Sequence, residues 1–255
     1  MKTFILADDL RKFCLSVLES CRVSSDIAGS VADALAHASL RGVDSHGVRL
    51  LPHYIRAVRA GRINICPSIR FEQTAAAVAI LDADHTFGHH AGSLAMSKAI
   101  GMAKESGMGS VAVKNSSHFG AAAFYSLRAT EQGMIGIAYT HADSLLLSSG
   151  GKRPYLGTNP IAFAAPVDAG ETFCLDMATS LVSWNKIKQL RIIKKEVPLG
   201  WWVDADGLPS QDPEKISALL PAGAYKGYGL SMMVEILCSL LTGMPFGRDI
   251  VRMYD

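Results

Sequence analysis

The chain has no apolar run long enough to cross a bilayer. The longest, residues 230–241, is interrupted by Glu235, and a spanning helix needs about 20 apolar residues. Its opening does not read as a secretory leader either, because "MKTFILADDL" reaches Asp8 and Asp9 after only a few apolar positions. Paired cysteines are missing as well. Cys14, Cys21, Cys66, Cys174 and Cys238 are odd in number and none has CxxC spacing, which suits reduced thiols buried as small hydrophobes in a cytoplasmic protein. An excess of one charge is also absent. Lys and Arg total 25 against 23 for Asp and Glu, a net +2, too weak a field to imply nucleic acid or an acidic membrane. The one basic cluster, residues 186–195, has helical spacing and reads as a solvated face. What the chain has instead is apolar content, 49% over 255 residues, ample for a sizeable core.

Its first sixty residues are patterned as helices. Leu10, Phe13, Cys14, Val17, Leu18 and Cys21 recur at spacings of three and four, and Ile27, Val31 and Leu35 repeat the stripe. Ser24 or Ser25 is placed to cap that second helix and Gly42 to end it. A third helix starts near Pro52 and stops at Gly61. From about Phe71 the texture alternates. "AAVAILDAD", "GSVAVKNSS", "MIGIAYTHAD", "NPIAFAAPV" and "ETFCLDMA" read as strands, the last two as a hairpin around Asp168–Gly170. "HHAGSLAMSKAIGMAKESG" and "GAAAFYSLRATEQG" read as helices, as do residues 181–195 and the segment after "YKGYG". The expectation is an α/β (α+β-like) fold: a helical amino-terminal part over residues 1–70, then an α/β domain with a mixed sheet over residues 71–255.

Several nucleotide and metal motifs fail. "GMGSVA" follows a helix and precedes a strand, the reverse of a Rossmann fingerprint. "GGKRP" has Leu146 and Arg153 where a phosphate-binding loop needs glycine and a hydroxyl. The eight histidines show no HExxH or comparable spacing.

Four stretches do carry polar chemistry: "VDSHGVRL", "KNSSHFGAA", "GTNP" with "CLDMATS", and "LLPAGAYKGYGL". His118 lies between a strand and a small-residue helix, where Gly120, Ala121 and Ala122 leave room at a helix amino terminus that favours anions. Lys226 with Gly227 and Gly229 suggests a phosphate or carboxylate cradle. His46 or His118 alone reads more readily as a structural histidine than as a catalyst. Together with Arg49, Lys226 and Asp176 they supply what reduction of a 2-oxo acid requires: an imidazole to give a proton and a guanidinium to hold a carboxylate.

In this order, "DSHGVRLLPHYIRAVRAGRIN", "NSSHFGAAAFY", "GTNPIAFAAP", "LDMATS", "GWWVDADGLPSQDP" and "LLPAGAYKGYGLSMMVEIL" resemble the malate/L-lactate dehydrogenase family of the second type. That family includes ureidoglycolate dehydrogenase, sulfolactate dehydrogenase, diketogulonate reductase and piperideine-carboxylate reductase, and the closing "GMPFGRDIVRMYD" looks most like the ureidoglycolate branch. The resemblance implies a fold unrelated to the Rossmann domain, a homodimer, and NAD- or NADP-linked interconversion of a 2-hydroxy acid and its 2-oxo acid. By matching motif, His118 falls on the proton acceptor assigned in ureidoglycolate dehydrogenase and His46 on the proton donor assigned in diketogulonate reductase, so either could transfer the proton. Ser45 would orient His46 or hold substrate. Asp176, Met177 and Ala178 fall on one dinucleotide segment and Lys226 with Gly227 on another. Thr158 and Asn159 shape the same crevice, and Ala142 matches a backbone contact to the cofactor.

The sequence departs from that pattern in three places. Arg49 stands three residues after His46 where the relatives' arginine stands four after, the place of Leu50; both spacings share a face in a helical turn. Asn185 and Trp202 replace a glycine and an alanine. The chain also ends at Asp255, short of the family's usual extent. This last point motivates a competing expectation, a truncated, catalytically silent remnant that dimerises or binds a small ligand.

Overall fold

The computed structural model describes residues 4–193 and 197–253. These divide into two compact units. The first comprises the described residues of Met1–Gly136 with Phe163–Cys174, the second those of Ile137–Ala162 with Leu175–Asp255. The boundary expected at residue 70 therefore falls inside the first unit, where the amino-terminal helices pack on an element of the following α/β segment.

In the first unit, α1 (Ala7–Ser20) and α2 (Ser25–Leu40) pair through the expected stripes, and Cys14, Leu18, Ile27, Val31 and Leu35 are buried. Burial of each large aliphatic side chain stabilises the fold by about 1.5–3 kcal/mol. Alanines on two sides of α2 are buried too, so it packs against α1 and also against a later helix. Neither serine caps it: Ser24 makes no side-chain cap bond, and the Ser25 hydroxyl donates to Glu19 at 2.7 Å. Gly42 ends the helix at φ +75°, a left-handed conformation that glycine adopts without steric cost. After it, α3 (Leu51–Arg59) begins with Pro52 in its first turn.

Strands β1 (Arg70–Ala75) and β2 (Val78–Asp82) pair antiparallel, and α4 (Gly88–Ser106) crosses over to β3 (Ser110–Lys114), which pairs parallel with β2. Strand β1 was not anticipated: all its residues are exposed, so its sequence lacks the apolar alternation that marks a half-buried strand. Ala91 and Ala95 of α4 pack with Leu81 and Ala83 in one buried cluster. After β3 comes α5 (Ala123–Thr130), and β4 (Gly136–Tyr139) begins at the last residue of this stretch, its other residues belonging to the second unit.

The second unit adds β5 (Leu146–Leu147) and β6 (Pro154–Leu156). The expected hairpin follows as β7 (Ile161–Pro166) and β8 (Thr172–Met177), with residues 163–174 belonging to the first unit. The order β4-β7-β8 makes a three-stranded sheet. Then come α6 (Trp184–Ile192), β9 (Trp202–Val203), β10 (Ala218–Leu219) and α7 (Tyr225–Cys238). Strands β6-β5-β10-β9 form a mixed sheet with one parallel pairing, Leu219 opposite Leu146. Over this sheet lies a core of Leu146, Leu156, Val182, Ile187, Leu190, Val197, Trp202 and Leu219. Trp202 thus serves the interior.

The helix expected over residues 181–195 is shorter, and Lys194 and Lys195 lie outside the described residues. Its basic face is not merely solvated, since Arg191 lies over the Trp184 ring at 5.5 Å and donates to the Pro213 carbonyl at 2.6 Å. Among the described residues no helix is long and apolar enough to cross a membrane.

One close approach in the first unit holds the loop that carries His118. Gly88 opens α4 against that loop, where a Cβ would stand 2.1 Å from the Ser117 carbonyl oxygen. Gly88→Ala should lower stability by about 1–3 kcal/mol through overpacking, measured by urea unfolding; unchanged stability would mean that the loop yields freely.

Candidate active site

The turn "VDSHG" is built by the end of α2. The Val43 amide donates to the Ala38 carbonyl at 2.9 Å and the His46 amide to Val43 at 2.9 Å. Gly47 lets this turn lie on the helix, since a Cβ there would meet the Ser39 hydroxyl at 2.2 Å. Ser45 Oγ stands 2.9 Å from His46 Nδ1 and orients that ring. Arg49, in the single 3-10 turn before α3, is exposed.

His118 is carried by a loop fixed at several points. Asn115, at φ +51°, donates to the Asp82 carboxylate at 3.0 Å. That bond is the main reason the Asp82 carboxyl is held below its usual range. The Gly88 amide donates to Ser117 Oγ at 3.0 Å, and the Tyr125 hydroxyl donates to the Phe119 carbonyl. The two distant histidines meet: the His46 and His118 rings stack 5.6 Å apart at 17°. The hydroxyl of buried Tyr54, on α3, lies 2.7 Å from His118 Nδ1.

Two further imidazoles join this cluster. His53 stands edge-on to Tyr54 at 5.4 Å, and His89, in the first turn of α4, stands edge-on to Tyr54 at 4.8 Å. His89 is fully buried, and neither ring nitrogen has a hydrogen-bond partner among the described residues. The room left by Gly120 is taken by this ring, with Nε2 2.9 Å from where a Cβ would be; it is not the open approach for an anion that the small residues suggested. Burial, then the charge of His46, lowers the His89 pKa to about 3. His118 is pushed well below its ordinary value by burial first, then by His46, His89 and His53. Among the described residues no three His, Cys, Asp or Glu groups are placed to hold a metal ion.

The residues expected at the dinucleotide fall in the second unit, and main-chain bonds gather most of them. The Thr179 amide and hydroxyl both donate to the Thr158 carbonyl at 2.9 Å, and the Ala222 amide donates to Thr179 at 2.9 Å. Around this junction Asp176 and Lys226 are exposed, while Met177, Ala178 and Thr158 are half-buried. Gly227 is no open cradle. It is buried, its amide donates to the Ala222 carbonyl at 2.8 Å, and a Cβ would meet the Thr179 carbonyl oxygen at 2.6 Å. "YKGYG" lies within the first turns of α7 instead of preceding it. Asn159 is sealed from solvent, with its amide group donating to Ser231 and Glu235 and its oxygen accepting from the Ala142 amide. It shapes the loop from within.

Tyr54, His89 and Glu235 were not anticipated. Tyr54 and His53 sit side by side in "LPHYIR" eight and seven residues after His46, a spacing of two helical turns that could have marked them. His89 had only the "GHH" run, and Glu235 only its position in an apolar helix.

The malate/L-lactate dehydrogenase family matches residues 5–255. Ureidoglycolate dehydrogenase (NAD(+)) of Escherichia coli strain K12 is 39% identical over 228 residues, 89% of this chain and 65% of the relative. Malate dehydrogenase of Pyrococcus abyssi is 41% identical over 253 residues, 95% of this chain and 70% of the relative. Among solved structures, sulfolactate dehydrogenase of Methanocaldococcus jannaschii superposes with a TM-score of 0.91 at 37% identity, covering 99% of this chain and 74% of that one. The chain belongs to the malate/L-lactate dehydrogenase family, and it spans just under two thirds of the length of the ureidoglycolate dehydrogenase it matches.

The lowered His89 pKa fixes a pH dependence. Its folded value of about 3 lies below the unfolded 6.5, so its stabilising contribution is complete above the unfolded value and declines as pH falls below it. His89→Leu should reduce the loss of stability between pH 6 and 4 by about 1.4 kcal/mol per pH unit. Urea unfolding at several pH values measures this, and an unchanged slope would mean that His89 protonates freely in the folded chain.

Proposed function

We propose that the protein is an NAD(P)-dependent 2-hydroxy-acid dehydrogenase, interconverting a malate-, lactate- or ureidoglycolate-like acid and its 2-oxo acid. The observation that carries this reading is the stacked pair His46–His118 with Tyr54 on His118 Nδ1, in a chain of this family. Oxidation of a 2-hydroxy acid removes the hydroxyl proton and a hydride from the same carbon, leaving a carbonyl. His118, held neutral by its surroundings, takes the hydroxyl proton at Nε2 while Nδ1 faces the Tyr54 hydroxyl. His46, oriented by Ser45, binds the same oxygen. Arg49 pairs with the substrate carboxylate through parallel hydrogen bonds. In the reverse direction the proton returns from His118 to the carbonyl oxygen.

A nicotinamide dinucleotide, when bound, supplies or accepts the hydride. The residues of the second unit suit such a group. An exposed ammonium at Lys226 matches a phosphate and an exposed carboxylate at Asp176 matches ribose hydroxyls, with Thr158, Met177, Ala178 and the Ala142 backbone lining the same crevice. Gly227 and Asn159 contribute by packing. NAD is named for the ureidoglycolate dehydrogenases and NADP for a sulfolactate dehydrogenase, and either accords with these groups. A homodimer in the cytoplasm, with no nucleic-acid or membrane partner, completes the reading; the net charge of +2 favours the last point. A silent remnant is disfavoured, because the family match runs through residues 5–255 with both histidines present.

Purified protein should oxidise at least one of malate, lactate, ureidoglycolate or sulfolactate with NAD or NADP. His118→Asn should lower kcat about 100-fold or more while leaving dinucleotide affinity unchanged by calorimetry. Full turnover in that variant would move the proton transfer to His46. No dinucleotide binding by the parent protein would instead sink the dehydrogenase reading.

A further inference from the structure

Ser231 and Glu235 on α7 and Ser239, the residue that caps its carboxyl end, stand four residues apart and are all fully buried. A spacing of four places them on one helix face, so the helix presents a polar stripe to the protein interior. Each member holds a loop. Ser231 Oγ donates to the Gly157 carbonyl at 3.1 Å, and its own carbonyl accepts from Asn159 Nδ2 at 3.0 Å. The Glu235 carboxyl accepts twice at 2.7 Å, from Asn159 Nδ2 and from the Gly247 amide. Ser239 Oγ lies 2.8 Å from His141 Nδ1. Asn159 passes the restraint on, since its Oδ1 accepts from the Ala142 amide at 2.9 Å.

A buried carboxyl is expensive unless both oxygens are hydrogen-bonded, and an aliphatic residue would serve mere packing better. Asn159 itself is held at φ +24°, a conformation that β-carbon residues rarely adopt and that surrounding bonds must enforce. We infer that Glu235, with Ser231 on the same face of α7 and Ser239 at its carboxyl cap, is a positioning residue for dinucleotide binding. It sets the two segments, residues 140–144 and 157–160, whose outward-facing groups meet the cofactor. It touches no ligand and acts through Asn159 and Ala142.

This inference rests on the dehydrogenase reading for the identity of the ligand. The test is Glu235→Gln in the full chain. A glutamine has one acceptor oxygen for two incoming N–H groups and turns its own N–H₂ toward the other. Binding of NADH and NADPH should weaken about tenfold or more, while KM for the hydroxy acid at saturating dinucleotide stays within about twofold of the parent value. Hydrogen exchange in the peptide covering residues 140–144 should accelerate. Ser239→Ala, a milder change, should raise exchange in the same peptide and weaken the dinucleotide in the same direction. A fall in melting temperature with dinucleotide affinity and exchange both unchanged would overturn the inference, leaving Glu235 a purely structural residue. Should the parent protein bind neither dinucleotide, the dehydrogenase reading fails on its own. The exchange measurement then still decides whether the stripe orders these segments.

Discussion

Everything in the first unit depends on how near two main-chain segments come where α4 begins. Gly88 lets the first turn of that helix press against the Ser117–His118 peptide, which no other residue permits without displacement. The approach fixes the His118 loop from one side, and Asn115 on Asp82 and Tyr125 on Phe119 fix it from others. It also delivers His89, the next residue of the helix, into the space beside Gly120. Imidazoles from three parts of the chain then surround one tyrosine. Tyr54, His53 and His89 are buried there and His118 is half-buried, and this desolvation holds the His118 pKa well below its ordinary value. A proton acceptor has to be vacant before it can act, and the packing supplies that vacancy. Its thermodynamic cost is visible in His89, where two buried nitrogens have no partner among the described residues, at roughly 1–3 kcal/mol each.

The second unit reaches order by another route. There the restraint is a set of strong acceptors and donors on one helix face, with Glu235 satisfied twice and Asn159 saturated. The exposed charges flank this network: Lys226 is on α7 itself, and Asp176 precedes Thr179, which bonds to the Thr158 carbonyl. The neighbouring Cys238 thiol, donating to the Tyr139 carbonyl at 3.8 Å, is pushed up to about 12 by burial, so it behaves as a small hydrophobe.

Much of this was legible in the sequence. Helical periodicity located α1 and α2, the Pro52 and Gly61 signals located α3, and apolar runs between turns located β2, β3, β4, β7 and β8, of which β2 and β7 bury alternate residues. Strand β1 and the two- and three-residue strands were not, since they bury no alternating pattern long enough to register. His46, Ser45 and His118 were visible as polar residues in small-residue turns, and the structure brings them together. Tyr54 and His89 were hidden by looking like ordinary core residues; their part depends on a tertiary neighbour that no local spacing encodes. Glycines misled for the same reason. Gly120 and Gly227 leave space that reads as an opening for a ligand, yet protein atoms fill it. Glu235 registered only as an interruption of an apolar run, although its spacing from Ser231 and Ser239 was there to be counted.

The three tryptophans, Trp184, Trp201 and Trp202, all belong to the second unit, and Trp202 lies wholly inside its core. The optical consequence is that tryptophan emission, blue-shifted for so sheltered an indole, reports the melting of one unit alone. The imidazole cluster of the other unit is dark at those wavelengths, and its unfolding is read through tyrosine absorbance or proton resonances.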